Sequence, residues 1–225
     1  MSRLTDFFKT GGQLYPLPGN TYVTGDMYGL EYSYTSANSI TVDAGICYDS
    51  LNTTLLTGSA SQVVSIGTTI NQIYNLFLCD DGLVKTDTDV EGTTLLAGAV
   101  NQLRWIGFVL TNSSGAVITF NQSGNMMMLT TKTVVGIATS TVSRIGLASF
   151  APISRMNSVE VYMPGRDGGA VITDKAGVAG KYLAMSYGVL GKDDGSSVGV
   201  VGAFFWVLVS ASVAEVRINT YNMKR

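Results

Sequence analysis

The chain has 225 residues, 26 glycines, no histidine and only 13% charged residues, and its formal net charge is −2. The missing histidine excludes Ser-His-Asp and Cys-His catalysis, imidazole metal sites and the usual charge switch near neutral pH. The scattered basic residues form no basic face, so no nucleic-acid partner is expected. One large domain or two small ones are expected at this length, and a hydrophobic content of 46% is enough for a core.

Residues 1–35 are predicted to form an irregular N-terminal arm. Pro16 and Pro18 keep this segment extended or turning, and its many aromatic side chains follow no clear periodicity. The opening residues mix charges and contain no apolar run, so no secretory signal peptide is expected. The arm fits a segment that packs on a neighbouring subunit or partner, and it fits a loosely attached surface segment nearly as well.

From residue 36 onward the pattern predicts β-structure. Residues 39–43 alternate polar and apolar side chains, which is typical of a half-buried strand. Residues 73–78 form a second apolar run, closed by an Asp-Gly turn. Residues 103–110 and 116–120 flank an Asn-Ser-Ser-Gly turn and predict a hairpin.

The polar residues 121–125 mark the predicted domain boundary. They separate a first β-sandwich domain, residues 36–125, from a second, jelly-roll-like β-sandwich domain, residues 126–225. Short strands between glycine and aspartate turns are typical of antiparallel sandwiches and jelly rolls, so the predicted class is all-β. The second domain is predicted to contain strands at residues 133–138, 143–150, 158–163, 182–189, 198–209 and 213–221.

One stretch resembles a membrane span in composition. Residues 196–214 carry no charge, and the strongly apolar part, residues 198–209, is near the lower length limit for a membrane helix. Because the run is rich in valine and is interrupted by Gly199 and Gly202, buried strands are the preferred interpretation and no membrane span is expected.

Five acidic residues form the strongest candidate for a metal site. The members of this acidic cluster are Asp80, Asp81, Asp87, Asp89 and Glu91. Alternate residues of an extended strand share a face, so the last three would line one side. Calcium binds such oxygen-rich loops, but the EF-hand spacing is absent, and a solvated loop or edge strand is the preferred interpretation.

No residue pattern establishes a reaction, and no catalytic, cofactor-binding or metal-binding residue is nominated. Cys47 and Cys79 lie in apolar, strand-like runs, which favours buried free thiols over a disulfide or a reactive role. Glycan cleavage by two carboxylates needs no histidine, but no acidic pair stands beside an aromatic platform.

Two segments resemble a group of tailed-bacteriophage virion proteins. Residues 39–54 contain a strand, an Ala-Gly pair and a short Asp-Ser-x-Asn turn. Residues 103–115 contain an Arg-x-Ile-Gly strand and a Ser-Gly hairpin, followed by a strand ending in Phe120 and Gln122. The resemblance covers residues 36–125 and extends weakly through the second domain.

This resemblance implies a non-enzymatic structural component of the virion, without a cofactor. Such proteins serve as tail fibres, collar or head fibres, or capsid decorations, commonly as trimers. The chain is therefore expected to form a homo-oligomer, with a trimer as the first choice. It is expected to be made in the host cytoplasm, to reside in the virion, and to dock on capsid, portal, collar or tail proteins.

Two sets of aromatic residues are the expected contacts. The arm would dock through Phe7, Phe8, Tyr15 and Tyr22. The apolar strand would supply core or subunit contacts through Phe204, Phe205 and Trp206. The alternative function is a receptor- or carbohydrate-binding tip module of a phage tail, with a host surface glycan as its partner, and a glycan depolymerase is a third hypothesis.

Overall fold

The computed structural model describes residues 7–10, 13–16, 27–138, 142–162, 170–173, 189–190, 198–200, 204–209 and 214–225. Most of the regular elements in these ranges are strands of antiparallel sheets, and the α-helix among them, α1, is the single turn Thr93–Leu96. The predicted all-β class is therefore confirmed. Within the same ranges, no helix is long and apolar enough to cross a membrane.

The chain divides into two compact units. Unit 1 comprises Met1–Ile118, Gln122–Gly124 and Arg225, and unit 2 comprises Thr119–Asn121 and Asn125–Lys224. The predicted boundary lies in the stretch where the chain passes between the units. Unit 1 is discontinuous in sequence, because residues 125–224 of unit 2 separate Arg225 from the rest of unit 1.

The described part of unit 1 contains eleven strands in four antiparallel sheets. The strands are β1 (Phe7–Thr10), β2 (Gln13–Pro16), β3 (Met27–Gly29), β4 (Tyr32–Ser36), β5 (Ser39–Val42), β6 (Gly45–Tyr48), β7 (Leu55–Gly58), β8 (Gln62–Ser65), β9 (Ile73–Cys79), β10 (Val84–Asp87) and β11 (Leu103–Leu110). The sheet orders are β1-β2, β3-β6-β7, β4-β5-β8 and β10-β9-β11.

The burial of unit 1 follows the sequence pattern. In β5, Ile40 and Val42 are buried and Ser39 and Thr41 are half-buried, as the alternation predicts. In β9, the central strand between β10 and β11, every residue from 74 to 79 is buried, so both faces of this strand are covered. Since a fully buried aliphatic or aromatic side chain contributes about 1.5–3 kcal/mol, β9 is a main source of the stability of unit 1.

The structure differs from the predicted irregular arm at β1 and β2, which form a hairpin, and again in the last third of the segment. Strands β3 and β4 lie within or across residues 27–36, and Leu30 and Tyr32 are buried. Tyr32 and Tyr34 lie on the same face of β4, as residues two apart in a strand do, and Tyr32 is buried whereas Tyr34 is exposed. Gly29 and Leu30 make the turn between the two strands with φ of 69° and 59°, in the left-handed region.

Nine further strands form the two sheets that are described for the rest of the chain. The strands are β12 (Phe120–Ser123), β13 (Met126–Ala138), β14 (Val142–Gly146), β15 (Met156–Tyr162), β16 (Ala170–Thr173), β17 (Val189–Leu190), β18 (Val198–Val200), β19 (Phe204–Val209) and β20 (Ala214–Met223). The sheet orders are β12-β13-β20-β15-β18 and β14-β19-β16-β17. A 3-10 turn, Ile153–Arg155, leads into β15.

The apolar stretch at residues 198–209 contains two strands, β18 and β19, which belong to different sheets. The strands predicted in this stretch are therefore observed, and they are shorter than the sequence suggests. Of the strand predicted at residues 182–189, only residue 189 is among the described residues.

Candidate functional site

Three of the four predicted docking residues lie on the first hairpin of unit 1. Strand β1 pairs with β2 so that Phe8 is opposite Tyr15 and Phe7 is opposite Pro16. The backbone pairing therefore brings these aromatic positions together in one element. Tyr22 lies outside the described residues. The docking role of these positions stays a prediction.

The predicted oligomer-contact residues lie on an inner strand of unit 2. Phe204, Phe205 and Trp206 begin β19, which pairs with β14 on one side and with β16 on the other. Phe205 is opposite Ile145, and Trp206 is opposite Thr173 in the other neighbour. Because both backbone edges of β19 are used inside unit 2, contact with another copy would have to come through side chains. That role stays a prediction.

One sheet of unit 1 presents a face rich in hydroxyl groups, which we call the hydroxyl face (Thr35, Ser36, Ser39, Thr41 and Val63). The hydroxyls of Thr35 and Thr41 are 2.7 Å apart, and those of Ser36 and Ser39 are 2.6 Å apart. Val63 is paired with Thr41 and is 70% exposed. This polar surface therefore carries one large apolar side chain, Val63, on the edge strand β8 next to the central strand β5.

Unit 2 presents an exposed pair of methionines on β13, which we call the methionine stripe (Met126 and Met128). These side chains are 44% and 48% exposed, whereas Met127 and Leu129 between and beside them are buried. The three consecutive methionines are thus split by the strand period into one core residue and two surface residues.

Asp87 is the last residue of the edge strand β10, so the extended acidic run predicted for residues 87–91 ends here, and its side chain is not solvated. Strand β10 ends at this residue, which is buried. Its carboxylate accepts the backbone N–H groups of Asp89 (3.0 Å), Thr94 (3.1 Å) and Leu95 (3.3 Å). Asp87 therefore satisfies N–H groups at the start of α1 that have no helical partner. The residue at the N-cap, Gly92, has no side chain that could do so.

Three other members of the acidic cluster also make hydrogen bonds or ion pairs. Asp89 accepts the backbone N–H and the hydroxyl of Thr93 at 3.1 and 2.6 Å, and Asp81 pairs with Lys85 at 2.6 Å. Asp80 accepts two hydrogen bonds from Asn101 at 3.2 Å each. In the part of the chain that the structure describes, no group of three His, Cys, Asp or Glu residues could hold a metal ion.

Asp49 organises the turn between β6 and β7, where the Asp-Ser-x-Asn sequence lies. Its buried carboxylate accepts the N–H of Thr53 (2.6 Å), the hydroxyl of Thr53 (2.8 Å) and the N–H of Thr54 (3.1 Å). Desolvation opposes ionisation, but these hydrogen bonds and the charge of Arg104 outweigh it and hold the pKa of Asp49 below its usual value. The turn residue Asn52 adopts φ of 57°.

The Arg-x-Ile-Gly sequence of β11 forms a β-bulge. Trp105 pairs with Phe77 and Gly107 pairs with Leu76, so Ile106 is the extra residue of the bulge. A Cβ atom on Gly107 would lie 2.5 Å from the ring of Tyr32, so only glycine fits at this position without a shift. The motif therefore has a steric explanation in unit 1.

Tyr32 connects β4 to this bulge. Its hydroxyl donates to the carbonyl of Phe108 at 3.0 Å and accepts the N–H of Phe108 at 3.2 Å. Burial raises the pKa of Tyr32 to about 12, and the Arg225 charge and the Phe108 hydrogen bond act in the opposite direction. The tyrosine therefore remains a neutral hydrogen-bonding group far above neutral pH.

Arg225 inserts its guanidinium among backbone carbonyls of unit 1. Its Nε donates to Ile106 O at 2.9 Å, its Nη1 to Gly124 O at 2.8 Å and its Nη2 to Leu30 O at 2.6 Å. The Sδ atom of Met27 lies 3.2 Å from Nη2. We call the three carbonyls of Leu30, Ile106 and Gly124 the carbonyl cradle.

The two cysteines are buried free thiols, which confirms the preferred interpretation from the sequence. Burial raises the pKa of Cys47 to about 12 and that of Cys79 to about 11, although nearby cations oppose the shift in both cases. Both thiols are therefore protonated, and poor nucleophiles, at neutral pH.

The chain matches no protein-family model, no curated protein and no solved structure. Its described residues offer two exposed surfaces, the hydroxyl face and the methionine stripe, and one buried polar site, the carbonyl cradle.

Proposed function

We propose that the chain is a non-enzymatic structural component of a tailed-bacteriophage virion, a fibre, collar or decoration subunit. It assembles as a homo-oligomer, with a trimer as the expected state, and docks on other virion proteins. The observation that carries the proposal is the exposure of Val63, Met126 and Met128 on strand faces. Covering these apolar side chains with a second copy of the chain lowers the free energy of the assembly. The two segments that resemble virion proteins support the family.

Analytical ultracentrifugation of the purified chain tests the assembly. An oligomer is expected at micromolar concentration, and the M126S/M128S double variant is expected to shift it towards the monomer. I70S is the matched control, because Ile70 is also an exposed apolar residue of the chain but lies outside the strands. A wild-type chain that remains monomeric at micromolar concentration would contradict the proposed assembly.

The place of the protein in a particle needs a separate experiment. An antibody raised against the chain is applied to tailed particles produced by a host that carries the gene, and labelling is located by electron microscopy. We expect label at one position on the particle. Particles without label, or without the chain by mass spectrometry, would rule out a virion component.

A glycan-binding tip is the second candidate, and the exposed ring of Tyr34 favours it. Tyr34 is 37% exposed on β4 and pairs with Ile40 across the same sheet. An exposed tyrosine ring can stack on a sugar, and its hydroxyl group can supply a hydrogen bond. A glycan array tests this function. Binding by the wild type that is lost in Y34A and kept in the exposed-loop variant L83A would favour it over a purely architectural role.

A further inference from the structure

We propose that the carbonyl cradle is a binding site for a guanidinium group, which the chain fills with its own Arg225. The three carbonyls come from residues that are 195, 119 and 101 positions away from Arg225 in sequence. Three parts of unit 1 that are far apart in sequence therefore direct acceptors at one point. This site goes beyond the proposed virion role and does not depend on it.

Each acceptor of the cradle comes from a backbone irregularity. Ile106 is the extra residue of the β11 bulge, without a partner in β9. Leu30 and Gly124 both have positive φ, at 59° and 55°. Regular strands direct their carbonyls at neighbouring strands, so these departures are what allows three carbonyls to converge. Leu30 has this conformation although it carries a Cβ atom, which makes its backbone costly to hold.

The acceptor set selects a guanidinium and not an ammonium. Three different nitrogens of Arg225 each face a separate oxygen, which matches the planar donor fork of arginine. A lysine ammonium is a compact point charge and lacks the planar fork that directs three separate nitrogens at three oxygens. In the described part of the chain, no carboxylate oxygen hydrogen-bonds to this guanidinium.

The surroundings fit a cation held by dipoles. Burial lowers the pKa of Arg225, while the nearby Tyr32 and Glu31 act to raise it. Glu31 Oε1 accepts the N–H of Gly124 at 3.0 Å. This carboxylate therefore helps to hold the residue whose carbonyl is one of the three acceptors of the cradle. Glu31 is thus a positioning residue for the site.

The test is chemical rescue of the R225A variant of the 225-residue chain. Its backbone amides around Leu30, Ile106 and Gly124 are expected to exchange with solvent at least about tenfold faster than in the wild type, because one hydrogen bond to a charged group corresponds to such a factor. Millimolar ethylguanidinium is expected to restore protection and to shift the NMR signals of those amides saturably. Ethylammonium at the same concentration is the ligand control.

Two variants keep the test interpretable. K224A is the matched protein control, since Lys224 is an exposed neighbour that reaches only Ser154 O at 3.4 Å, and it is expected to behave as wild type. R225K keeps the charge and is expected to lose protection as R225A does, and it replaces R225A if that variant fails to fold. Any of three results would overturn the assignment. Ethylammonium could rescue protection as well as ethylguanidinium does, or amide exchange could be unchanged in both Arg225 variants. Protection in the wild type could also depend on protein concentration.

Discussion

The Tyr32 hydroxyl hydrogen-bonds to both backbone groups of Phe108, donating to its carbonyl at 3.0 Å and accepting its N–H at 3.2 Å. Phe108 pairs with Asn75 of β9, and β11 is an edge strand of its sheet, so one side chain from β4 supplies hydrogen bonds to a residue that follows the bulge. A buried backbone group without a partner is costly, so this contact explains why a polar group is tolerated in the core of unit 1.

The variant Y32F removes both hydrogen bonds and is expected to lower the free energy of unfolding by about 1–3 kcal/mol. Urea unfolding checks this, with Y34F as the control, because the Tyr34 side chain is exposed. The wild type is also expected to lose stability between pH 10 and pH 12, because tyrosine ionises near 10 when unfolded and at about 12 when folded. Y32F should flatten that part of the profile. An unchanged alkaline profile in Y32F would contradict this role.

Alanine at Gly107 is expected to destabilise unit 1, because the new Cβ would lie 2.5 Å from the Tyr32 ring. Overpacking of this kind costs about 1–3 kcal/mol. Thermal or urea unfolding of G107A measures it. The control is G146A, since a Cβ atom added to Gly146 would have nothing within 4 Å. In a double-mutant cycle, G107A should cost less in a Y32A background than in the wild type. Strictly additive effects would argue against the contact.

Loss of the Asp49 carboxylate is expected to destabilise the turn between β6 and β7. D49A removes three hydrogen bonds to a charged acceptor, which predicts a loss of about 1–3 kcal/mol. The exposed D43A is the control. Because the folded pKa of Asp49 lies below its usual 3.8, its contribution is complete above that value and is lost as the pH falls through the folded pKa. Acid unfolding curves of D49A and wild type should therefore converge at low pH; parallel curves would refute this assignment.

Both cysteines are expected to react slowly with a disulfide reagent in the native chain at pH 8. Their pKa values of about 12 and about 11 leave little thiolate, and burial blocks the reagent. An exposed thiol introduced by S113C provides the comparison within the same protein. In denaturant, both native thiols should react with the reagent at the same rate as the S113C thiol. Native thiols that react as fast as S113C would show that they are accessible.

The elements that could be predicted from the sequence are those whose pattern is local. The alternation in residues 39–43 and the apolar run in residues 73–78 correspond to β5 and β9, because period 2 and a buried central strand each leave a direct signature. The buried state of Cys47 and Cys79 followed from the same apolar runs.

Most of the candidate site could not be predicted from the sequence, because its geometry depends on contacts between residues that are distant in sequence. Tyr32 is one of several tyrosines in a segment without an evident pattern, and only its partner at Phe108 distinguishes it. Arg225 stands out in the sequence only as part of a basic pair. Asp87 belongs to a group of acids, although the Asp-rich segment before a glycine at the N-cap of α1 could have indicated a capping role.

The closure of the carbonyl cradle has a kinetic consequence. Its contacts join residues 101 to 195 positions apart, whereas the hairpins of unit 1 join near neighbours. Each doubling of such a loop adds only about 0.6 kcal/mol of closure entropy, so the distance is a small equilibrium cost. Contacts of long range nevertheless form slowly. We therefore expect the sheets of unit 1 to form before the Arg225 side chain reaches the carbonyl cradle during refolding.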